Sequence, residues 1–267
     1  MDSTVISSRR NPLLKELQAV RDDPDAPFLF LEGPRLVQEA LAAGCPIEKL
    51  VASESFQENP LLETLRAKSK QVYHVSDSVF KVVSSVDSPQ GLLVIAQKPS
   101  WQWNDVARRA PLPLVILDGL QDPGNAASIV RTAEAAGVSG LVTTPGTARL
   151  YSPKALRGAM GSSLRLPILE HRPVEEIVAQ AGKLGFSFVA AMASSKNADS
   201  VSYLQIDWTG PLAIILGQEA GGISPSWTPL IQKTIYIPMQ PPVESLNVAS
   251  SAAILLYESF RQRFIHS

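Results

Sequence analysis

The sequence is poor in the residues that disulfides and most metal sites require. Its 267 residues include one cysteine, Cys45, and three histidines that are scattered along the chain. A single cysteine excludes an internal disulfide and a cysteine-rich metal site. The histidines show no metal-ligand spacing. The sequence therefore predicts no metal site.

Long apolar runs and an excess of charge of either sign are also missing. No apolar run reaches the ~20 residues that a membrane-spanning helix needs, and the first ten residues hold no apolar signal core. We therefore expect a cytoplasmic protein without a membrane partner. The net charge of −1 gives no overall basic signature for nucleic acid, so nucleic-acid contacts would depend on local basic clusters.

Three common catalytic motifs are absent. The chain has no Gly-x-Gly-x-x-Gly after the apolar segment 114–117, no Gly-x-x-x-x-Gly-Lys-Ser/Thr and no Gly-x-Ser-x-Gly. Hydride transfer with a dinucleotide, nucleotide hydrolysis and acyl transfer through a serine nucleophile all lose support.

Strand and helix signals, by contrast, alternate along most of the chain. Length and a 45% apolar composition favour two domains with sizeable cores. Residues 1–97 predict a small α/β domain, and residues 98–112, with two prolines, two tryptophans and no periodicity, predict a linker. In residues 113–267, apolar runs alternate with helical patterns, which predicts a mostly parallel sheet with helices on both faces. The predicted strands of this domain are 114–117, 140–143, 186–190, 212–216 and 234–237.

Three segments of the second domain place glycine, proline, asparagine or serine where a strand ends and a helix begins. They are 122–131 (DPGNAASIVR), 217–224 (GQEAGGIS) and 237–247 (IPMQPPVESLN). In open α/β sheets, ligands bind at this edge. In this order, the segments resemble the motifs of the SpoU (TrmH-type) branch of the SPOUT RNA methyltransferases. Residues 31–41 and 89–92 resemble the substrate-binding domain of many members.

The resemblance implies properties that periodicity does not reveal. It implies S-adenosylmethionine-dependent methylation of a ribose 2′-hydroxyl in structured RNA, either rRNA of the 23S type or tRNA, and no DNA partner. It also implies a deep trefoil knot in the C-terminal domain. Finally, it implies a homodimer built around the last helix and the helix of the first motif.

The resemblance also implies the functional residues. The implied catalytic residues are Asn125, Arg131, Glu219, Ser245 and Asn247. The implied cofactor-binding residues are Gly217, Glu219, Ile237, Met239, Ser245, Leu246 and Asn247. Basic side chains are expected to contact RNA phosphates, and the candidates are Arg9, Arg10, Arg35, Lys154 and Arg157.

Each motif residue also has a purely structural interpretation. Asn125, Ser245 or Asn247 could be a helix cap, and Glu219 could be a solvated turn residue. Arg131 could pair with Glu134 on the helix surface. Because a guanidinium is not expected to deprotonate at neutral pH, we predict that Arg131 orients and polarises the ribose hydroxyl while a phosphate or water takes the proton.

Two positions depart from the family pattern. Gln218 stands where asparagine is usual, and Pro241-Pro242 replaces a glycine and removes an amide donor. The proline pair leaves one alternative open, a non-catalytic RNA-binding or ribosome-assembly protein that retains the knotted fold. Methylation of a base rather than a ribose is a second alternative, which the Ser-Leu-Asn motif at 245–247 disfavours.

Overall fold

The structure is a computed structural model that describes residues 5–23, 25–192, 200–218 and 221–265. The chain divides into two compact units. The first unit comprises Met1–Ser100 and Tyr151–Leu164, and the second comprises Trp101–Leu150 and Arg165–Ser267.

The helices and strands follow the alternation expected from the sequence. The helices are α1 (Pro12–Asp22), α2 (Pro34–Ala42), α3 (Leu61–Lys68), α4 (Asp77–Val83), α5 (Trp103–Ala107), α6 (Pro123–Ala135), α7 (Pro153–Ala159), α8 (Val174–Lys183) and α9 (Val248–Ile265). The strands are β1 (Phe28–Glu32), β2 (Ile47–Ser53), β3 (Ser69–Val75), β4 (Leu92–Gln97), β5 (Leu114–Leu117), β6 (Gly140–Thr143), β7 (Ile168–Leu169), β8 (Ser187–Met192), β9 (Ser200–Ser202), β10 (Leu212–Leu216) and β11 (Lys233–Tyr236). None of the described helices is both long and apolar enough to cross a membrane.

The first unit is built on a four-stranded mixed sheet with the strand order β1-β4-β2-β3. Strand β4 is antiparallel to both β1 and β2, while β2 and β3 are parallel. Helices α1 and α4 cover one face of this sheet through a core that includes Leu17, Phe30 and Phe80. The unit therefore has a hydrophobic core of its own.

The second unit contains a seven-stranded sheet with the order β7-β6-β5-β10-β8-β11-β9. All of its described strand pairs are parallel, which confirms the mostly parallel α/β sheet predicted from the sequence. The middle strands β5 and β10 are apolar on both faces because helices cover both sides. Leu114 and Ile116, for example, face a core that also contains Trp227.

Residues 98–112, predicted as a linker, form part of this second core from Trp101 onward. Val106 in α5 is fully buried, and Trp101 and Trp103 pack against the same core. The Trp103 indole also donates to Glu176 Oε1 at 2.9 Å. Helix α5 is only five residues long, too short to produce the periodicity on which the prediction relied.

Residues 151–164 pack with the first unit, although the sequence assigned them to the second domain. Arg157 in α7 donates to Ser85 Oγ at 2.7 Å, and this hydroxyl donates in turn to Glu32 at 2.6 Å. Gly161 lies so close to Glu39 that a Cβ there would come within 2.6 Å of the Glu39 Cβ. Local sequence patterns do not report which of two cores a helix will join.

Helices α6 and α9 pack against each other in the second unit. Near the end of α9, the half-buried Arg263 donates to the carbonyl oxygens of Ala136 and Gly137 at 3.1 and 3.2 Å. These carbonyls end α6 and have no partner within that helix. Arg263 therefore ties the C-terminal ends of the two helices together.

We expect Arg263→Leu to lower the free energy of unfolding by about 2 kcal/mol, because hydrogen bonds from a charged donor to partly buried carbonyls are lost. Arg261→Leu is the matched control on the same helix, since the Arg261 side chain is 57% exposed and pairs with Glu258 one turn earlier, and an ion pair with a solvent-exposed partner contributes little. Urea unfolding followed by circular dichroism measures both. Equal effects of the two substitutions would contradict the helix-tying role.

Candidate active site

A cleft of about 580 Å³ opens at the carboxyl edge of the parallel sheet. The ends of β8, β10 and β11 form its floor, and the loop before α9 together with the first turns of α9 forms its wall. Six of the seven predicted cofactor-binding residues line it, namely Gly217, Ile237, Met239, Ser245, Leu246 and Asn247. The seventh, Glu219, lies outside the described residues.

The segment from Gly217 to Ile223, here called the glycine loop, closes on itself at one side of this cleft. Gln218 and Gly222 exchange two backbone hydrogen bonds of 2.8 and 3.0 Å. The Gly222 carbonyl lies directly against Gly217, so a Cβ at position 217 would collide with that carbonyl oxygen. Gly222 adopts φ 64°, which favours glycine. At Gly217, Gly221 and Gly222, the backbone itself is therefore the surface offered to a ligand.

Gln218, one of the two departures from the family pattern, is accommodated by a glycine just beyond the neighbouring strand β5. Its side chain lies along Gly119, where a Cβ would come within 2.5 Å of the Gln218 Nε2. Gly119 immediately follows the end of β5 and Asp118, and it has φ 67°. The longer side chain of Gln218 fits because position 119 is glycine. A Cβ at position 119 would occupy the same space.

A side-chain hydrogen bond joins the first and third motifs. Asn247 Nδ2 donates to Asn125 Oδ1 at 3.1 Å across 122 residues of sequence. Asn247 also caps α9, since its Oδ1 accepts from the Ala249 amide at 2.9 Å. The cap of α6, however, is Asp122, which accepts from the Asn125 amide at 2.7 Å. Asn125 is therefore not a helix cap, and its side chain is directed to the motif at the cleft.

Arg131 lies on the exposed face of α6 and does not line the cleft. The alternative pairing with Glu134 is wrong, because Glu134 forms a two-pronged ion pair with Arg165 at 2.7 and 2.9 Å. Among the described residues, Arg131 has no hydrogen-bond or ion-pair partner. The apolar positions of α6 are buried, as the sequence indicated, but the helix turns this guanidinium outward.

The predicted RNA-binding residues all belong to the first unit. Arg9, Arg10, Arg35 and Lys154 are exposed, and within the described chain their side chains make no ion pair. Arg157 is half-buried and donates to Ser85, so part of its hydrogen-bonding capacity is used within the unit. The structure groups these five residues in the first unit, whereas the three motif segments belong to the second.

Sequence reasoning missed several contributors to this edge of the sheet, among them Ala191, Met192 and Asp118. Ala191 and Met192 end β8 and line the cleft, but small and apolar side chains carry no functional signal. Asp118 follows β5 directly and is only 5% exposed. A carboxylate at the end of a wholly apolar strand is a signal that the sequence did offer. In the part of the chain that the structure describes, no cluster of His, Cys, Asp and Glu could hold a metal ion.

Comparison with protein families matches both parts of the chain. Residues 113–257 match the model of the SpoU rRNA Methylase family. Residues 14–94 match the MRM3-like substrate binding domain. The first match covers all three motifs and the whole parallel sheet.

The similarity to individual proteins extends over nearly the whole chain. An uncharacterized tRNA/rRNA methyltransferase of Synechocystis sp. is 34% identical over 100% of this chain and 97% of its own length. The 23S rRNA (guanosine(2553)-2′-O)-methyltransferase RlmP of Bacillus subtilis is 29% identical over 94% and 97%. The crystal structure of the SpoU methyltransferase AviRb from Streptomyces viridochromogenes in complex with AdoMet superimposes with a TM-score of 0.86 and 25% identity, covering 96% of this chain and 99% of that one.

We expect Gly217→Ala to lower the free energy of unfolding by about 1–3 kcal/mol, because the added Cβ displaces the Gly222 backbone. Gly210→Ala is the matched control, since a Cβ there meets nothing within 4 Å. Thermal unfolding followed by circular dichroism compares the two. A Gly217→Ala protein as stable as Gly210→Ala would show that the close approach of the two glycines is dispensable.

Proposed function

This chain belongs to the SpoU rRNA methylase family, and we propose that it transfers a methyl group from S-adenosylmethionine to a ribose 2′-hydroxyl of structured RNA. The observation that carries this proposal is the hydrogen bond between Asn247 and Asn125. It joins the motif that lines the cleft to the motif that carries Arg131. The residues proposed to bind the cofactor and the ribose would thereby be held in one arrangement, and such alignment contributes strongly to a displacement reaction.

The cleft fits the proposed cofactor in size and in chemistry. Its volume lies within the usual range for cofactor sites. Leu216, Ile235 and Leu246 provide apolar surface for a flat ring, while the glycine loop and Asn247 provide backbone and amide groups for polar edges. The described residues include no group of His, Cys, Asp or Glu side chains that could hold a metal ion beside the cleft. The apolar surface and the backbone and amide groups thus suit a nucleoside.

The proposed reaction is an in-line displacement at a methyl carbon. S-adenosylmethionine supplies a methyl group already activated by the positive charge of its sulfonium. The ribose oxygen forms the new O–C bond as the S–C bond breaks, and the hydroxyl proton passes to a phosphate or to water. Arg131 would orient and polarise this hydroxyl without accepting the proton. Asn125, Ser245, Asn247 and Glu219 would organise the site around it.

Several finer features of the proposal rest on the family resemblance and the relatives. The substrate would be rRNA of the 23S type, as it is for RlmP, or a tRNA. The exposed basic residues of the first unit would contact its phosphates, with Arg157 the weakest candidate because Ser85 engages it. The trefoil knot would form in the second unit. The cytoplasmic location remains a prediction from the sequence.

We also propose a homodimer that buries the outer face of α9. This helix exposes three aromatic side chains at its C-terminal half, and Tyr257 and Phe260 are 50% and 39% exposed. Their rings lie 6.0 Å apart, and the Phe260 and Phe264 rings lie 5.7 Å apart. A contiguous aromatic surface of this kind marks an interaction site. The exposed Arg131 on the adjacent α6 would then lie near the same interface.

The leading alternative is an RNA-binding protein that has lost catalysis. It would bind RNA but not S-adenosylmethionine, so titration calorimetry with the cofactor separates the two functions. The geometry favours the enzyme, because Ser245 and Asn247 line the cleft and Asn125 is hydrogen-bonded to Asn247. Nuclease-resistant dinucleotides in the digested product would distinguish ribose methylation from methylation of a base.

We expect Arg131→Ala to reduce methyl transfer to 23S rRNA from a strain lacking the modification by at least about 100-fold, the scale of losing one electrostatic stabiliser of developing charge. Incorporation of labelled methyl groups from S-adenosylmethionine measures it. Because Arg131 is exposed and unpaired in the described chain, its removal should leave the unfolding temperature unchanged. Ser128→Ala, one turn earlier on the same exposed face, is the matched control and should retain activity. Near-normal turnover by Arg131→Ala would overturn the assignment.

We expect Phe260→Glu to shift the protein from dimer to monomer in sedimentation equilibrium at micromolar concentration, because a carboxylate would be desolvated in the proposed interface. Ala179→Glu adds the same charge to the exposed face of α8 and should leave the dimer intact. A wild-type protein that sediments as a monomer would contradict the proposal at the outset.

A further inference from the structure

Asp118 is a buried carboxylate that the proposed reaction does not use. It follows β5 at the carboxyl edge of the sheet, is 5% exposed and does not line the cleft. A buried charge is costly unless hydrogen bonds compensate for the lost hydration. The hydrogen-bond partners of Asp118 therefore indicate which parts of the chain this side chain fixes in place.

Both carboxylate oxygens have specific donors. Oδ1 accepts from the Thr144 hydroxyl at 2.9 Å, and Oδ2 accepts from the Ser224 amide at 2.7 Å. Thr144 lies just after β6 and is itself fixed, because its hydroxyl accepts from the Gly119 amide at 3.0 Å. The carboxylate is thus anchored through one oxygen to Thr144 beside the neighbouring strand, and its other oxygen accepts from the amide of the segment after the glycine loop.

The main chain of Asp118 holds the opposite end of the same loop. Its amide donates to the carbonyl oxygen of Leu216 at 2.9 Å, and Leu216 is the residue immediately before the glycine loop. One residue therefore binds the chain just before Gly217 and just after Ile223. The cleft-lining residues of the loop, Gly217, Gln218, Gly221 and Gly222, lie between these two attachments.

We propose that Asp118 is a positioning residue that holds the glycine loop in the conformation that binds the cofactor. The inference rests on the proposed function for the identity of the ligand, but not for the mechanics of the loop. A carboxylate suits this role because it accepts on both oxygens, whereas an amide offers one acceptor and one donor. Asp118→Asn keeps the size of the side chain but removes the charge and one of the two acceptors, so the Ser224 amide would face either an NH2 group or an uncharged oxygen that binds it more weakly.

The first test uses the protein without cofactor. Amide hydrogen exchange should become faster in residues 216–224 of Asp118→Asn, while the strands of the second unit keep their protection. Ser139→Ala is the matched control, since the buried Ser139 donates to the Pro113 carbonyl at 3.0 Å at the opposite, amino ends of β5 and β6. It removes a buried hydrogen bond from the same two strands and should not alter exchange in the glycine loop.

The second test is titration calorimetry with S-adenosylmethionine, followed by kinetics. Asp118→Asn should weaken binding about tenfold and raise the KM for the cofactor by a similar factor, the size expected for one charge-assisted hydrogen bond. The kcat at saturating cofactor and the KM for RNA should change less than about twofold. Ser139→Ala should leave cofactor binding at the wild-type value.

Different outcomes overturn different claims. If wild-type protein does not bind the cofactor, the proposed function fails, and the exchange experiment still decides the role of Asp118. Unchanged exchange and unchanged affinity in Asp118→Asn would overturn the positioning role, as would an equal loss in Ser139→Ala. If Asp118→Asn does not fold, Ser224→Pro removes the same donor at φ −63°, a value that proline adopts, and the same expectations apply to it.

Discussion

The central position of β10 in a fully parallel sheet is the constraint on which the candidate site depends. Strand β10 lies between β5 and β8, so the segments that follow these strands emerge side by side. The first motif follows β5, the second follows β10 and the third follows β11. Residues as distant in sequence as Asn125 and Asn247 can then form a direct hydrogen bond. Reversing a single strand would move its motif to the opposite edge of the sheet.

Backbone forms one side of the cleft, and the glycines there explain why. Gly217 admits the Gly222 carbonyl, and Gly119 admits the side chain of Gln218. Close backbone approach of this kind leaves amide and carbonyl groups available to a ligand. The three glycines of the loop have no side chains to pack, so anchors outside the loop contribute to its conformation. Asp118 provides such an anchor at both ends.

The two units divide the proposed work between them. The second unit carries the cleft and Arg131, while the first carries the exposed basic residues and the segment 151–164. Within the first unit, Glu32 accepts from the amide and the hydroxyl of Ser85, and Arg157 donates to the same hydroxyl. Arg157 therefore serves the structure of this unit, which a count of basic residues would not reveal.

The sequence by itself determined the class of fold, the strand ends at which function resides and the membership of a family. Apolar periodicity and the glycine, proline and asparagine content of three short segments are local signals, and they were sufficient for these conclusions. Tertiary structure decided what depends on contacts between distant residues. In the folded chain, Asp122 rather than Asn125 is the cap of α6. Glu134 pairs with Arg165, and Arg131 lies at the surface. Residues 151–164 belong to the first unit. Periodicity reports which face of an element is apolar, but the partner that covers this face is chosen by packing across the whole chain.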